Sequence, residues 1–574
     1  MRKIFLSILG SLWLFVAYAQ TNNDAVIFEA MQTELDRNMN GLTMPNMPTP
    51  FFINYIAAEG ESIGIVATLG GLLSSRHIPI VRSFWGRVLT ESNQLTNDGR
   101  FANQGTSALL PIDDNLGQMR RTIWATSDTE YKRGLEALTN KKNALRRVTL
   151  TEEEEALLDY HTAAPVQMVT PSIFPKKMDQ KELEALCRDL SAIFLNYPQL
   201  YESRVQLVAN QGTFYNITSE GTKTQQPLSY AIIRASARVR SQEGALLSDY
   251  IEVCTRDLST LPSAAELTTL VNEFAAALQA IGTAEAVKEY YSGPVLFEGD
   301  AVIDIFTGNL LTPNALIAYR RPVGGPQMLG GMGRGGQGLG GGGGAQSSSI
   351  RNIPIGLKLI DTRFTVINHT QMTEYKGKSL VGAYSVDGEG IVPAPSQLLV
   401  EKGILKSFLN NRIPTQYAPT SNGNNRIAVN LGTISTDVKP SVLEIQATGG
   451  LDNQAMRQRL ITSAKEEGLA YAYIVRKLSG VVKIYQVDVA TGKETPMRAP
   501  DIENINIKRL KRIDAVSSEV QVANRLLSGA NDNTRAFPVS VISPNALLLQ
   551  DVEINSSTVT LEIKPHVKNP LERP

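Results

Sequence analysis

The alternation of hydrophobic and polar residues divides this chain into a part that mixes helices with strands and a part that is mostly strand. Predicted helices lie near 23–38, 113–147, 179–196, 263–290 and 453–467, and predicted strands include 51–73, 78–89, a hairpin-like pair around 210–212, and 231–239. Beyond residue 353 the pattern is strand and turn with a single helix. We therefore predict an α+β fold with an N-terminal helix-and-sheet domain at 20–290 and a strand-rich C-terminal domain at 291–574.

The first 19 residues have the pattern of a secretory signal peptide. Met1-Arg-Lys is followed by an uncharged run at 4–16 and by Ala17-Tyr18-Ala19. A run of this length is too short to span a bilayer, which needs about 20 helical residues. We expect cleavage after Ala19 and export to the periplasm or the extracellular space, with no membrane span afterwards. The alternative is a retained N-terminal anchor.

Composition excludes some function classes. The chain has 574 residues, more than one hydrophobic core usually organises, and 42% of them are hydrophobic. Lys plus Arg and Asp plus Glu both number 56, so the formal net charge is zero. No general basic field exists to attract nucleic acid, and we expect no nucleic-acid partner.

Two cysteines occur in the whole chain. Cys187 lies on an apolar helical stripe with Leu183, Leu190 and Phe194, a pattern typical of a buried free thiol. A disulfide between Cys187 and Cys254 is the second interpretation, and the sequence does not decide between them.

Residues 324–344 contain 13 glycines in 21 positions. Gly331, Gly333 and Gly336 match the spacing of a phosphate-binding loop, yet no predicted strand precedes them and no predicted helix follows. We interpret this segment as a flexible loop.

The stretch from Tyr291 to Leu311 is where we expect the chemistry to lie. A short apolar strand at 295–297 leads through Glu298-Gly299-Asp300 into a helix that begins near Ala301, with Asp300 as its predicted N-cap. Asp300 and Asp304 are four residues apart and share a helix face. Together with Glu298, their carboxylates are candidate ligands for a hard cation such as calcium. A helix cap and a solvated face are the simpler explanation.

This stretch resembles the TldD/PmbA family, the "modulator of DNA gyrase" metallopeptidases, in which a similar Gly-Pro-Val run precedes a helix bearing His-Glu-x-x-x-His. Further segments are similar to family motifs: Leu-Pro-Ile-Asp-Asp at 110–114, and the segments at 120–128, 382–393, 399–412 and 421–426. The resemblance extends over nearly all of 50–560 outside the glycine loop.

The resemblance implies a zinc site whose ligands this chain lacks. The first histidine of the motif falls on Asp304, the general-base glutamate on Ile305 and the second histidine on Asn309. Another family histidine is replaced by Asn424, and no cysteine occurs at 531–536, where the third ligand is expected. Zinc catalysis needs about three protein ligands and a base for the bound water. We predict no cofactor, and we expect Asp300 and Asn424 to line a peptide groove.

From this resemblance, the leading hypothesis is a non-catalytic subunit or peptide-binding paralogue that acts in peptide processing. Its expected partners are a peptide or unfolded polypeptide and a second subunit, either a copy of itself or a zinc-bearing relative. The alternative is an active peptidase with unorthodox metal ligands such as Asp304. Whether the chain is an enzyme is left open at this point.

Other motifs have simpler explanations. Gly60-Glu-Ser62-Ile-Gly64 matches the pattern of a nucleophile elbow, but strand-like alternation continues on both sides of it. Trp124 and Tyr131 lie on the predicted helix at 113–147 and are expected to face the core. The four histidines, at positions 77, 161, 369 and 566, are too far apart in sequence to pair at metal-ligand spacing.

Overall fold

The computed structural model describes residues 23–98, 105–242, 244–313, 315–320, 353–498, 500–528 and 535–556. The predicted signal peptide, His566 and the glycine loop at 324–344 lie outside these residues. The helices are α1 (Asn23–Gly41), α2 (Leu116–Leu145), α3 (Glu152–Glu155), α4 (Gln180–Ala192), α5 (Ala264–Thr283), α6 (Asp300–Leu310) and α7 (Asn453–Glu466).

The strands of the N-terminal part are β1 (Pro50–Thr68), β2 (Gly71–Thr90), β3 (Thr106–Leu109), β4 (Gln167–Val169), β5 (Leu200–Thr218), β6 (Lys223–Arg240) and β7 (Leu246–Thr255). They form one sheet in the order β3-β2-β1-β5-β6-β4, with β7 paired to β6.

The strands of the C-terminal part are more numerous and shorter. They are β8 (Glu285–Ala286), β9 (Tyr291–Glu298), β10 (Phe364–His369), β11 (Glu374–Tyr375), β12 (Lys378–Ser379), β13 (Ser396–Glu401), β14 (Ile404–Leu405), β15 (Asn425–Ile427), β16 (Thr436–Val438), β17 (Val442–Ala447), β18 (Tyr471–Lys477), β19 (Lys483–Asp488), β20 (Glu494–Arg498), β21 (Pro500–Ile502), β22 (Ala515–Val516), β23 (Val520–Ser528), β24 (Arg535–Pro544) and β25 (Ala546–Ser556).

Two predicted breaks in the N-terminal strands are wrong. Ser74 and Ser75, in the gap between the predicted strands 51–73 and 78–89, lie inside β2. The β1–β2 turn is at Leu69 and Gly70, which both have positive φ angles, as the Gly70-Gly71 pair indicates. Asn210-Gln-Gly212 is not a turn either, because β5 continues through it. Gly212 lies opposite Gly60 of β1, where the glycines allow two backbones to approach closely. A glycine inside a strand therefore marked a close contact between strands.

Four helices of the N-terminal part, α1, α2, α4 and α5, cover one face of its sheet. α1 and α2 pack over Ile53, Tyr55 and Ala57 of β1, and α4 and α5 pack over Ile63, Ile65 and Ala67. Asn115, Asp179 and Ser263 cap α2, α4 and α5 with their side chains, as the polar residues before each apolar stripe indicate. The opposite face carries Ile56 and Ala58 and packs against the C-terminal part.

The predicted end of the helix at 263–290, which is α5 in the structure, is wrong. α5 ends at Thr283, not near Tyr290. The next residues form β8, which pairs in parallel with β20, and Val287 donates its N–H to the Arg498 carbonyl. Pairing with a distant strand overrides the helical pattern here.

The two cysteines are both free and buried in different clusters. Cys187 packs with α4 and α5, and Cys254 of β7 lies in the cluster between the two parts of the molecule. Burial raises the pKa of both thiols to about 12. No helix among the described residues is long and apolar enough to span a membrane.

The C-terminal part consists of two main sheets. One has the order β14-β13-β10-β17-β24-β23, and the other has the order β21-β25-β9-β18-β19-β20-β8, with β22 paired to β25. α6 contributes its apolar residues to the core shared by both sheets, while α7 packs with Leu296, Ile474 and Leu548 of the larger sheet. This arrangement encloses the helix on which the sequence placed the candidate chemistry.

Candidate functional site

α6 begins directly after the central strand β9. Gly299 is the residue before the helix, with a φ of 58°, and it makes no side-chain cap. The prediction that Asp300 is the N-cap is therefore wrong: Asp300 is the first helical residue, and its carboxylate accepts a hydrogen bond from Arg525 of β23 at 2.5 Å. The positive φ at Gly299, which glycine adopts without steric cost, lets the chain pass directly from β9 into α6.

The three acidic residues around the start of α6 have separate partners. Glu298 pairs with Arg476 at 2.9 Å, and Asp300 pairs with Arg525. Asp304 accepts the backbone N–H of Ser479 at 3.0 Å. Among the described residues, no group of three His, Cys, Asp or Glu side chains is arranged to hold a metal ion. The carboxylates stabilise the junction between α6 and its neighbouring strands.

The other two positions of the motif also have structural roles. Ile305 is 3% exposed and packs in the core between the sheets. Asn309 donates from its amide nitrogen to the carbonyls of Ile305 at 2.9 Å and Ile505 at 2.8 Å. Ile305 has no atom that can bind a metal or accept a proton, and the amide nitrogen of Asn309 is committed to two backbone carbonyls, leaving only a neutral amide oxygen, a weak zinc ligand. These side chains do not fit a zinc ion with an activated water.

Asn424 lies at the centre of a buried amide cluster. Its side-chain oxygen accepts a hydrogen bond from Asn368 at 2.9 Å, and its amide nitrogen donates to Gln397 at 2.9 Å and to Asn422 at 2.7 Å. These partners come from 368–422, so no described hydrogen bond joins Asn424 to α6. An asparagine suits this position because it donates and accepts at once.

A buried charged cluster lies beside the amide cluster. The Arg426 guanidinium lies 4.1 Å from the Tyr384 ring centre, and burial lowers the pKa of Arg426 to about 10. Asp387 accepts three backbone N–H bonds, from Glu389, Ile391 and Asn425. Burial, followed by the nearby charge of Glu389, raises the pKa of Asp387 to about 7.

An ion network connects this loop to the N-terminal sheet. Arg87 of β2 donates to Glu389 at 2.7 Å and pairs with Asp98. Glu389 also accepts the backbone N–H of Arg412, whose guanidinium donates to Glu220 at 2.7 Å. Sequence reasoning assigned no role to these residues. The available signal was that Glu389 and Arg412 lie within two of the motifs, 382–393 and 399–412.

The remaining candidates are dispersed. Ser62 lies inside β1, paired with Asn210 and Ile78, so the interpretation as continuous strand is confirmed. His77 pairs with Glu61, and His369 lies between Ser396 and Glu444.

The two aromatic residues of α2 differ in burial. Tyr131 is buried, as predicted, and its hydroxyl donates to the Pro48 carbonyl. The prediction for Trp124 is wrong, because its side chain is 41% exposed beside α1. It lies on a side of α2 that the rest of the domain leaves open.

Comparison with known proteins gives consistent results. Residues 337–556 match a family model described as "PmbA/TldA metallopeptidase C-terminal domain". TldE from Thermococcus kodakarensis superposes with a TM-score of 0.54 at 12% identity, covering 92% of this chain and 100% of that one. A proposed modulator of DNA gyrase from Thermotoga maritima gives 0.54 at 12% identity, covering 91% of this chain and 100% of the other.

A third structure, a proposed modulator of DNA gyrase from Bacteroides thetaiotaomicron, gives a TM-score of 0.52 at 11% identity, covering 94% of this chain and 99% of that one. A search of curated proteins by sequence gave no match. At these identities the structural likeness shows the fold.

Proposed function

We propose that this protein is a non-catalytic, exported subunit that binds extended peptides. It acts in peptide processing beside a second subunit, either another copy or a relative that carries zinc. The proposal is supported by the match of its C-terminal domain to the TldD/PmbA type and by the TldD/PmbA fold of the chain. The resemblance found in the sequence is confirmed at the level of family and fold.

The observation that carries the proposal is the use of α6 for packing. At the positions of the zinc motif, Asp304 accepts backbone N–H groups, Ile305 fills the core and Asn309 bonds two carbonyls. A catalytic zinc site needs these side chains to point at a shared open position. Here Asp304 and the Asn309 amide nitrogen hydrogen-bond backbone groups, and Ile305 offers no ligand atom at all.

Peptide binding needs no metal, because an extended chain can add to a free sheet edge through backbone hydrogen bonds. β23 is the end strand of the six-stranded sheet; its residues 521–525 run beside the start of α6, and its Leu526 packs against the N-terminal sheet. Its Gln521 donates to the Gly299 carbonyl at 2.9 Å, and its Arg525 pairs with Asp300. We assign β23 as the edge that receives the peptide.

The absence of catalysis is tested by measuring the metal content and the peptidase activity of the purified exported protein. We expect no stoichiometric zinc and no cleavage of an unfolded peptide that a chelator abolishes. Cleavage that is lost with chelator, restored by zinc and removed by Asp304→Ala would instead establish the peptidase with unorthodox ligands. Asp501→Ala, on β21, is the matched acidic control.

Hydrogen exchange tests the binding edge. Backbone N–H groups of 520–528 should exchange more slowly when an extended, uncharged peptide is added, because an added strand protects the edge. β21 is also the end strand of a sheet and provides the internal control. Unchanged exchange in β23 with a peptide that binds elsewhere would rule out this edge.

A further inference from the structure

A cleft of about 460 Å³ lies between α1 and the first turns of α2, away from α6. Its lining residues are Glu34, Arg37, Gly117, Arg120, Arg121 and Trp124. Three of the six are arginines, although the chain as a whole has no net charge. The cleft is therefore a local concentration of positive charge on a neutral molecule.

Glu34 offsets part of this charge. Its buried carboxylate pairs with Arg120 at 2.8 Å and with Arg37 at 3.2 Å. Arg121 is exposed and takes part in none of the ion pairs found among the described residues. Three guanidinium groups against one carboxylate leave the cleft with an excess of about two positive charges. The buried Glu34 also holds two of the guanidinium groups in position.

The N-terminus of α2 adds to the field. The helix is 30 residues long, Asn115 caps it, and its first turn contains no acidic residue. The first turn itself therefore presents only the partial positive charge of the helix N-terminus; of the two aspartates just before the cap, Asp114 pairs with Arg82, and Asp113 offsets part of that charge. Gly117 lines the cleft without a side chain, so the backbone of the first turn forms part of the wall.

Trp124 gives the cleft an apolar wall. Its side chain is 41% exposed, an unusual position for tryptophan on a helix whose other face is buried. An indole beside guanidinium groups suits a ligand that combines carboxylates with an apolar or aromatic group, since arginine and tryptophan are the residues that dominate protein recognition sites.

We propose that this cleft binds an acidic polypeptide segment that carries at least one apolar residue. Two excess charges suit a short run of glutamate or aspartate side chains. Nucleic acid is disfavoured, because tracking a phosphate backbone requires an extended basic surface. The site is independent of the peptide edge assigned to β23, and it stands whether or not the protein cleaves peptides.

Trp124 provides a direct probe. The other described tryptophan, Trp85, is 3% exposed, so a change in fluorescence on binding reports mainly on the cleft. The probes are a decapeptide of alternating glutamate and leucine, its lysine-and-leucine counterpart, and a ten-nucleotide single-stranded DNA. We expect the acidic peptide alone to shift the emission, with an affinity that falls as salt is raised.

Variants separate the cleft from general charge. Arg121→Glu should weaken binding of the acidic peptide by about tenfold or more, because it replaces attraction with repulsion at an exposed position. Arg76→Glu makes the same charge change on the exposed part of β2 and should leave the affinity unchanged. Trp124→Leu should retain the fold and lose the fluorescence signal, with weaker binding measured by anisotropy of a labelled peptide.

Three results would overturn the proposal: equal binding of the acidic and basic peptides, tighter binding of the DNA, or equal losses for Arg121→Glu and Arg76→Glu. The acidic helix α3 of a second copy is a competing occupant. Self-association that both Arg121→Glu and a Glu152→Lys/Glu153→Lys variant abolish would assign the cleft to that contact instead.

Discussion

Gly60 and Gly212 allow the backbones of β1 and β5 to approach closely where the two strands pair. A Cβ atom on Gly60 would lie 2.4 Å from the Gln211 carbonyl oxygen and 2.8 Å from the Gly212 Cα. Both are backbone atoms of a central strand pair and have little freedom to move. The two glycines therefore permit a contact that no other residue allows.

We expect Gly60→Ala to lower the free energy of unfolding by about 1–3 kcal/mol, the usual cost of overpacking a well-packed region. Gly64→Ala is the matched control on the same strand, because a Cβ there meets nothing within 4 Å. Urea denaturation of both variants measures the difference. Equal stabilities would show that β1 and β5 separate without cost.

Asp387 makes a second residue-scale prediction, on pH. Burial and Glu389 raise its folded-state pKa to about 7, above the value of about 4 that an unfolded aspartate has. Between these values the folded state binds more protons than the unfolded state, so its contribution to stability is present at low pH and is lost as pH rises towards 7. For one proton that only the folded state binds, the free energy of unfolding changes by up to about 1.4 kcal/mol per pH unit.

Unfolding by urea between pH 5 and 8 should therefore show a slope in the wild type that Asp387→Asn reduces. The slope is the informative quantity, because the substitution also changes the hydrogen bonds to Glu389 and Ile391. Identical slopes in the two proteins would place the pKa of Asp387 in its ordinary range.

At the scale of elements, α6 decides whether catalysis can be restored one residue at a time. Ile305→Glu returns the base that the zinc motif calls for, but it places a carboxylate in the core between two sheets. We expect a loss of about 3 kcal/mol or more in stability and no gain in peptidase activity, because the missing ligands act as a unit with the base.

Ile305→Val is the control for packing and should cost about 1 kcal/mol. Thermal unfolding and a peptidase assay with added zinc measure both effects. A stable Ile305→Glu protein with zinc-dependent activity would contradict the assignment of α6 as a packing element.

At the scale of the whole molecule, the Arg87 network joins the two parts of the chain. Arg87 and Glu389 are separated by 302 residues, and both side chains are almost fully buried. Removing one partner of a buried pair leaves the other charge without compensation, which is the costly case. The network therefore adds buried ionic contacts to the apolar cluster through which the N-terminal sheet docks.

We expect Arg87→Met to lower stability by about 3–5 kcal/mol, because Asp98 and Glu389 lose their shared partner. Arg238→Met removes an exposed pair with Glu202, 46% exposed on both sides, and should cost less than about 1 kcal/mol. Calorimetry compares them. A similar small effect in both variants would mean that the interface depends on its apolar cluster alone.

The sequence by itself determined the features that depend on near neighbours. The helix caps at Asn115, Asp179 and Ser263, the buried stripe around Cys187 and the continuous strand through Ser62 follow from residues a few positions apart. The motifs that resemble TldD/PmbA proteins were also sufficient to predict the α+β fold. Local chemistry fixes caps, faces and strand alternation wherever the chain folds.

Only the tertiary structure decided the features that depend on distant partners. The end of α5 was set by the pairing of β8 with β20, the role of Gly60 by Gly212, and the exposure of Trp124 by the position of α1. The partners of Asp304 and Arg87 lie 175 and 302 positions away. No local pattern carries this information, because it arises when strands far apart in sequence become neighbours.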